Sequence, residues 1–434
     1  MNDAENQAIQ NAPGGRTALS LLGLSLKNIG PFDSAELEFL AEGEFQSAVP
    51  VTIITGENGS GKSIIVDAIR AAFGEYYAEL ERPISRPQMP FEIALTLIRD
   101  GKQARETALK VQPLNPHRFV HPSRPDDLTT LPFNVSQGTL PAPGWVVDFW
   151  RSNLATDSYA TKALAAPKHQ QFLMGALQGA HKNVDVTKLL VYFDYLRDSR
   201  VPIEKRAGEV LFKAAREIVQ LSLLDGELLD VARSTFTPMV RQGGQTVPLA
   251  NLSSGNAYMI QRMIGMLGKM YAVNALRGEE PERMCRTPGV LLLDEAENHL
   301  HPRWQKRFLS DVLRIFPNLQ IVATTHSPFV VGSVPGARVY VCRYDAETRS
   351  ATVDDVSDEY ADLPVEDILL SPAFDETVSF GAEITALMET RKRAIESGDL
   401  TMRADVEAKL YHRNPRYFSY VKLDEHLRAL RAAR

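Results

Sequence analysis

Gly56-Glu57-Asn58-Gly59-Ser60-Gly61-Lys62-Ser63 fits the pattern GxxxxGK followed by Ser or Thr. Glycines at this spacing let backbone N–H groups turn inward around phosphate oxygens. The lysine then brings positive charge to β and γ phosphates, and the serine hydroxyl is a ligand for Mg²⁺. A second cluster, Asp294-Glu295, ends the apolar run Val290-Leu291-Leu292-Leu293. A carboxylate at the end of a buried strand can hold Mg²⁺ through water beside Ser63, and Glu295 next to it can polarise an attacking water as general base. His326, within Thr324-Thr325-His326-Ser327-Pro328, can donate a hydrogen bond to a γ-phosphate or to that water. Ser253-Ser254-Gly255, within Leu252-Ser253-Ser254-Gly255-Asn256, is a small-residue turn whose free N–H groups and helix dipole suit phosphate. Taken singly, the last three read equally as an acidic turn, a core histidine and an ordinary helix cap. Their order behind the glycine loop is what points to nucleoside triphosphate chemistry.

The elements that must position these residues are legible as patterns. Val49 to Thr55 is a compact β-branched run, the mark of a strand buried on both faces. Ser63 to Phe73 changes to helical spacing, so strand, glycine turn and helix follow in order. Strand patterns also cover Leu21 to Ile29, Phe32 to Phe39, Phe91 to Ile98, Val290 to Leu293, Leu319 to Thr324 and Arg338 to Cys342. The proline-rich segment 82–145 predicts an antiparallel sub-sheet with long loops, and Trp145 to about Ser234 predicts a mostly helical block. A helix is predicted from Ala257, and the tail from Ala382 is helical with the basic run Arg391-Lys392-Arg393, either a wet helix face or a nucleic-acid or partner contact. No sustained heptad predicts a long coiled-coil arm.

Composition narrows the class. The chain has 434 residues, 44% hydrophobic and 24% charged, an ordinary globular mixture. Forty-eight basic against 54 acidic residues give a net charge of −6, which argues against a surface coated for nucleic acid. Cys285 and Cys342 cannot make a disulfide framework or a structural zinc site by themselves, so a reducing cytoplasm is expected. The polar N-terminal segment lacks a signal-peptide pattern, and no apolar run is long enough for a spanning helix.

Together the four motifs resemble the ABC-type ATPase head of the RecF/SMC/OLD group of P-loop ATPases. GENGSGKS is similar to its phosphate loop, LSSGN to its signature loop, LLLDEAENHLHP to its Mg²⁺ and catalytic segment with the D-loop, and TTHSPF to its switch histidine. The resemblance covers about residues 20–150 and 246–345. It implies an α/β P-loop NTPase fold, with a mixed sheet, an antiparallel sub-sheet, a helical insertion and a helical C-terminal tail. The expected division is a disordered lead (1–17), an N-terminal head segment (18–150), a helical insertion (151–245), a C-terminal head segment (246–360) and a basic tail (361–434). The resemblance further implies a head-to-head homodimer with ATP and Mg²⁺ sandwiched, each nucleotide held by one phosphate loop and by Ser253, Ser254 and Gly255 of the other copy. Two departures stand out: the signature reads Ser-Ser-Gly-Asn, and the Mg²⁺-sensing glutamine is not fixed by spacing, with Gln137 the first candidate and Gln88 the second. His299 and His301 fit a D-loop better than a metal site, and His117 and His121 fall in a proline-rich loop.

Within that group the chain looks most like ATPases of bacterial antiphage systems, the Septu and retron-associated PtuA type and the PARIS ATPase. That likeness implies ATP-dependent control of a separate effector, a nuclease or toxin. A nuclease in the same chain is not expected, because only about 90 residues follow Arg343, against on the order of 100 for a compact α/β nuclease unit. The alternative from a different class is a RecF-like repair ATPase that binds DNA. The length predicts about three domains, whereas the motif order predicts one head split by an insertion.

Overall fold

The computed structural model describes residues 19–40, 49–73, 91–99, 101–110, 142–151, 169, 173, 186–223, 225–360, 363–369, 371, 374, 382–415 and 418. Gln137, Gln88, His117, His121 and the lead 1–17 lie outside the described residues. Two compact units are present, Met1–Ile368 and Leu369–Arg434. In chain order the first contains β1 (Leu19–Ile29), β2 (Phe32–Glu38), β3 (Val51–Gly56), α1 (Lys62–Ala72), β4 (Phe91–Arg99), β5 (Lys102–Lys110) and β6 (Val146–Trp150). There follow α2 (Val186–Arg197), α3 (Pro202–Ser222), β7 (Gly226–Ala232), β8 (Thr237–Gln242), β9 (Gln245–Pro248) and α4 (Ser254–Arg277). The unit continues with β10 (Gly289–Leu293), α5 (Phe308–Ile315), β11 (Leu319–Thr324), β12 (Arg338–Asp345) and β13 (Ser350–Asp355).

A six-stranded mixed sheet runs in the order β13-β12-β3-β11-β10-β6, with only the β12–β13 pair antiparallel. Strands β3, β10 and β11 are buried at every position, as expected where both faces of a parallel sheet are covered. All the parallel strands deliver their C-terminal ends to one edge, so the phosphate loop, Asp294 and His326 emerge side by side. A four-stranded antiparallel sheet, β2-β1-β4-β5, lies against this layer. Ile65, Val66 and Ile69 of α1 share one apolar cluster with Leu24, Leu26, Ile93 and Leu95 of that sheet and with Ile54, Leu292 and Val322 of the mixed sheet. The two sheets are also stitched by the buried Gln320, whose Oε1 accepts from the Leu21 N–H at 2.7 Å while its Nε2 donates to the Leu21 carbonyl at 3.0 Å. Leu21 borders a register shift in β1, so the side-chain amide satisfies backbone groups that the ladder leaves over.

Two elements differ from the sequence pattern. Val146–Trp150 and Gly226–Ala232 fall where a helical block is expected, yet both are strands. The first is a β-branched and aromatic run too short to fix a period. The second belongs to the antiparallel sheet β7-β8-β9, whose Gly243-Gly244 turn, with φ of +57° and +76°, is a hairpin signal. Strand β5, KQARETALK in sequence, pairs antiparallel with β4 as the expected sub-sheet requires. In the second unit, α6 (Ala382–Ser397) and α7 (Leu400–Arg413) form a helical pair around Val406, Leu410 and Phe418. Arg391 of the basic run is tied there to the buried Glu407 at 2.9 Å, which removes it from an open cationic patch.

Candidate functional site

The phosphate loop is built on close backbone approaches that only glycine permits. Gly56 has φ +132°, and a Cβ there would stand 2.1 Å from the Cys342 carbonyl oxygen of β12. Gly61 has φ +101°, and its Cβ would stand 2.6 Å from Phe32 Cζ, at the turn between β1 and β2. Gly61 is also the N-cap of α1 and offers no capping side chain, so the first-turn N–H groups remain for an anion. Ser60 Oγ donates to the Glu57 carbonyl at 2.8 Å and closes the loop. Lys62 folds back over it, Nζ donating to the carbonyls of Gly56 at 2.9 Å and Glu57 at 2.6 Å. Burial pushes its ammonium below the ordinary lysine range, against the opposing pull of Cys342, Glu297, Asp294 and Glu295. A phosphate chain would relieve that cost.

The carboxylates meet this loop across the sheet edge. Asp294 Oδ1 accepts from Ser63 Oγ at 2.9 Å and from Thr324 Oγ1 at 2.7 Å, and Thr324 Oγ1 in turn accepts from the Glu295 N–H at 2.9 Å. Ligands at right angles around Mg²⁺ at about 2.1 Å stand about 3 Å apart. Ser63 Oγ and Asp294 Oδ1 thus place two oxygen donors of the kind Mg²⁺ takes side by side. Glu295 sits in the left-handed region, φ +53°, with its carboxylate hydrogen-bonded by Asn298 Nδ2. Glu297 faces the next strand end, where Thr325 Oγ1 donates to Oε2 at 2.6 Å and the His326 N–H donates to Oε1 at 2.7 Å. Burial first and the Lys62 charge second hold His326 below the usual imidazole range. A cavity of about 610 Å³ is lined by Asn58, Gly59, Gly61, Lys62, Ser63, Glu295, Thr324 and His326, together with Gly30, Pro31, Ile64, Tyr344 and Arg349.

The structure does not bring Ser253, Ser254 or Gly255 into that cavity. Ser253 caps α4, its side chain accepting from the Asn256 N–H. A Cβ on Gly255 would stand 2.4 Å from the His299 carbonyl oxygen, and the Tyr258 and His299 rings lie 5.6 Å apart. His301 Nδ1 accepts from the Arg303 N–H and caps a one-turn helix at Pro302–Gln305. Both histidines thus have structural work, and among the described residues no cluster of three His, Cys, Asp or Glu could hold a metal. Farther along α4, Lys269 Nζ stands 2.7 Å from Asp148 Oδ2, an ion pair off the hydrogen-bond direction, both side chains almost wholly buried. Asp148 also accepts from the Phe149 N–H and Trp150 Nε1, which ties the edge strand to the helix. Glu297, Asn298 and Thr324 lie inside motifs that the sequence marks without giving them a role, and Tyr344 and Arg349 lie outside every motif. Glu297 carries a weak signal, two positions beyond the carboxylate pair, and Tyr344 and Arg349 carry none.

Two family descriptions match the chain: "AAA domain, putative AbiEii toxin, Type IV TA system" over residues 160–332 and "AAA domain" over residues 23–115. The chain is 23% identical over 202 residues to the Retron Vc95 probable ATPase of Vibrio cholerae serotype O1 biovar El Tor, covering 46% of this chain and 38% of that protein. It is 23% identical over 315 residues to the Septu protein PtuA of Bacillus thuringiensis, covering 71% and 72% respectively. With the Retron Ec83 probable ATPase of Escherichia coli it shares 25% identity over 181 residues, 39% of this chain and 32% of that one. The chain therefore spans about a third of the length of both retron relatives. Among solved structures, the SMC head domain from Thermotoga maritima aligns with TM-score 0.42 and 16% identity over 77% of this chain and 98% of that one. A Pyrococcus furiosus Smc head domain bound to the C-terminal domain of ScpA aligns with TM-score 0.45 and 14% identity over 79% and 97%. Two segments of the chain thus match AAA-domain descriptions, and the chain is similar to retron probable ATPases and to Septu protein PtuA.

Proposed function

We propose that this chain binds and hydrolyses ATP with Mg²⁺ at the cavity between β3, β10 and β11. The single observation that carries this reading is the meeting of Ser63 with Asp294 at 2.9 Å beneath the phosphate loop, with Glu295 and His326 lining the same cavity. Gly56 to Ser63 cradle the phosphates and Lys62 neutralises them, while Ser63, and Asp294 through water, would hold the metal ion. When bound, the ion would supply charge neutralisation at the phosphates. Glu295 takes the proton of the attacking water, and His326 donates toward the γ-phosphate. Ser253, Ser254 and Gly255, which stand apart from their own cavity, complete the site of a second copy in a head-to-head homodimer or larger assembly.

The head comprises residues 18–150 and 246–360, and the intervening segment and the tail are surfaces for a partner. The similarity to retron and Septu ATPases supports a role in bacterial antiphage defence, with the ATP cycle controlling a separate nuclease or toxin. Among the described residues no helix is long and apolar enough to cross a membrane. The test is a pair of variants. Lys62→Ala is expected to abolish nucleotide binding; unchanged affinity refutes the site. Glu295→Gln is expected to keep binding, stop turnover and accumulate an ATP-bound dimer by light scattering. Wild-type turnover in that variant removes Glu295 as the base. Co-purification of an effector with the tagged chain from its host, lost in Lys62→Ala, tests the defence role.

A further inference from the structure

The geometry points to the β12–β13 hairpin as the wall that receives the nucleobase, with Tyr344 as its stacking platform. This rests on the nucleotide reading above and adds the polarity of the bound molecule. The strand order carries it. The γ-phosphate chemistry, Asp294, Glu295 and His326, hangs from β10 and β11, on one side of β3. On the other side lie β12 and β13, which bring Tyr344 and Arg349 to the same cavity. A triphosphate held by the loop after β3 with its γ end over β10 and β11 must direct its sugar and base over β12.

Register places Tyr344 at that end. Val341 and Cys342 pair with Thr55 and Gly56, so β12 continues beyond the point where β3 turns into the phosphate loop. Tyr340 and Cys342 point into the core cluster that holds α1, and the period of a strand puts Tyr344 on that same face. Gly30, Pro31 and Ile64 of the first turn of α1 line the same cavity. The wall is held in place. The Ala351 N–H donates to the Pro31 carbonyl at 2.8 Å, and Asp345 accepts from the Glu347 N–H at 2.8 Å and from Thr348 Oγ1 at 2.9 Å at the hairpin tip. Tyr344 is 43% exposed, a large aromatic kept open to solvent rather than packed. Arg349, at φ +54° beside it, has no ion-pair partner among the described residues and leaves a cation at the sugar end of the phosphate chain. An aromatic ring and a proline-bearing turn lining one cavity suit a purine read through its π-face.

Titration calorimetry on the full chain, with ATP and with inorganic tripolyphosphate as a baseless probe, separates the possibilities. Stacking of one base predicts that Tyr344→Ala weakens ATP binding roughly tenfold. Tripolyphosphate affinity is expected to stay at the wild-type value, which also reports an intact fold, and Tyr344→Phe is expected to bind ATP like wild type. Equal ATP affinity in Tyr344→Ala and wild type overturns the platform while leaving the nucleotide site standing. An equal loss for tripolyphosphate overturns it too, since the effect would then not involve the base. A wild-type chain that binds ATP no better than tripolyphosphate leaves the base without a site and sinks the proposal. Failure of wild type to bind either ligand ends both readings.

Discussion

Glu297 offers the sharpest test of how the catalytic edge is held. Its carboxylate accepts from Thr325 Oγ1 at 2.6 Å and from the His326 N–H at 2.7 Å, so one side chain fixes the strand end that carries the histidine. Glu297→Gln keeps one acceptor oxygen and turns an NH₂ toward the other donor. One charge-assisted bond is lost and the second weakened, a local cost of about 1.5–3 kcal/mol. The loop keeps other ties: Thr325 N–H to the Ile54 carbonyl at 3.0 Å, and Ser327 Oγ to Gln305 Oε1 at 2.6 Å. Only a fraction of the cost then reaches the reacting geometry, about 1.4 kcal/mol, or roughly tenfold in turnover. Steady-state ATP hydrolysis and nucleotide binding are measured separately, and only the former should fall. A second readout separates positioning from general damage. Glu297 raises the His326 pKa, so its neutralisation moves the acid limb of the pH profile to lower pH. Unchanged turnover with an unmoved acid limb refutes the role, as does a parallel loss of nucleotide affinity.

Other outcomes follow from the same contacts. His326 is held below its ordinary value by burial and by Lys62, so hydrolysis should be flat near neutrality and fall in acid, with a midpoint below about 6.5. The stability sign is the same: a histidine with a depressed folded pKa costs stability as pH falls below the unfolded value, the penalty saturating once the folded value is passed, and denaturant melts at pH 7 and pH 5 check it. Lys269→Met leaves Asp148 buried but still bonded by Phe149 and Trp150, so the expected loss is about 3 kcal/mol, the low end for a broken buried pair, read by urea unfolding. Gly255→Ala forces a Cβ against the His299 carbonyl, and hydrolysis should fall while the affinity of the phosphate loop for ATP, measured by calorimetry, holds.

The candidate site residues stand out in the sequence because phosphate and Mg²⁺ would admit few side-chain types at fixed spacing. Gly56 and Gly61 illustrate this: each has positive φ and a neighbour that an added Cβ would strike at under 3 Å, the Cys342 carbonyl for one and the Phe32 ring for the other. Buried parallel strands were equally plain, since β3, β10 and β11 have no solvent face on which a polar residue could blur the run. What stayed hidden depends on pairing across the chain. Tyr344 enters the cavity because β12 lies beside β3 and overruns it, a fact of register and not of local sequence. Gln320 reads as a polar fault in an apolar strand, and it makes sense only against the Leu21 backbone 299 positions away. The helical expectation over 226–232 failed for the same reason: Leu228 and Val231 match a helix by spacing, and only pairing with β8 across a bulge makes them a strand. Local chemistry constrains which residues react. Register decides which residues surround them, and the base-side wall of this cavity belongs to the second kind.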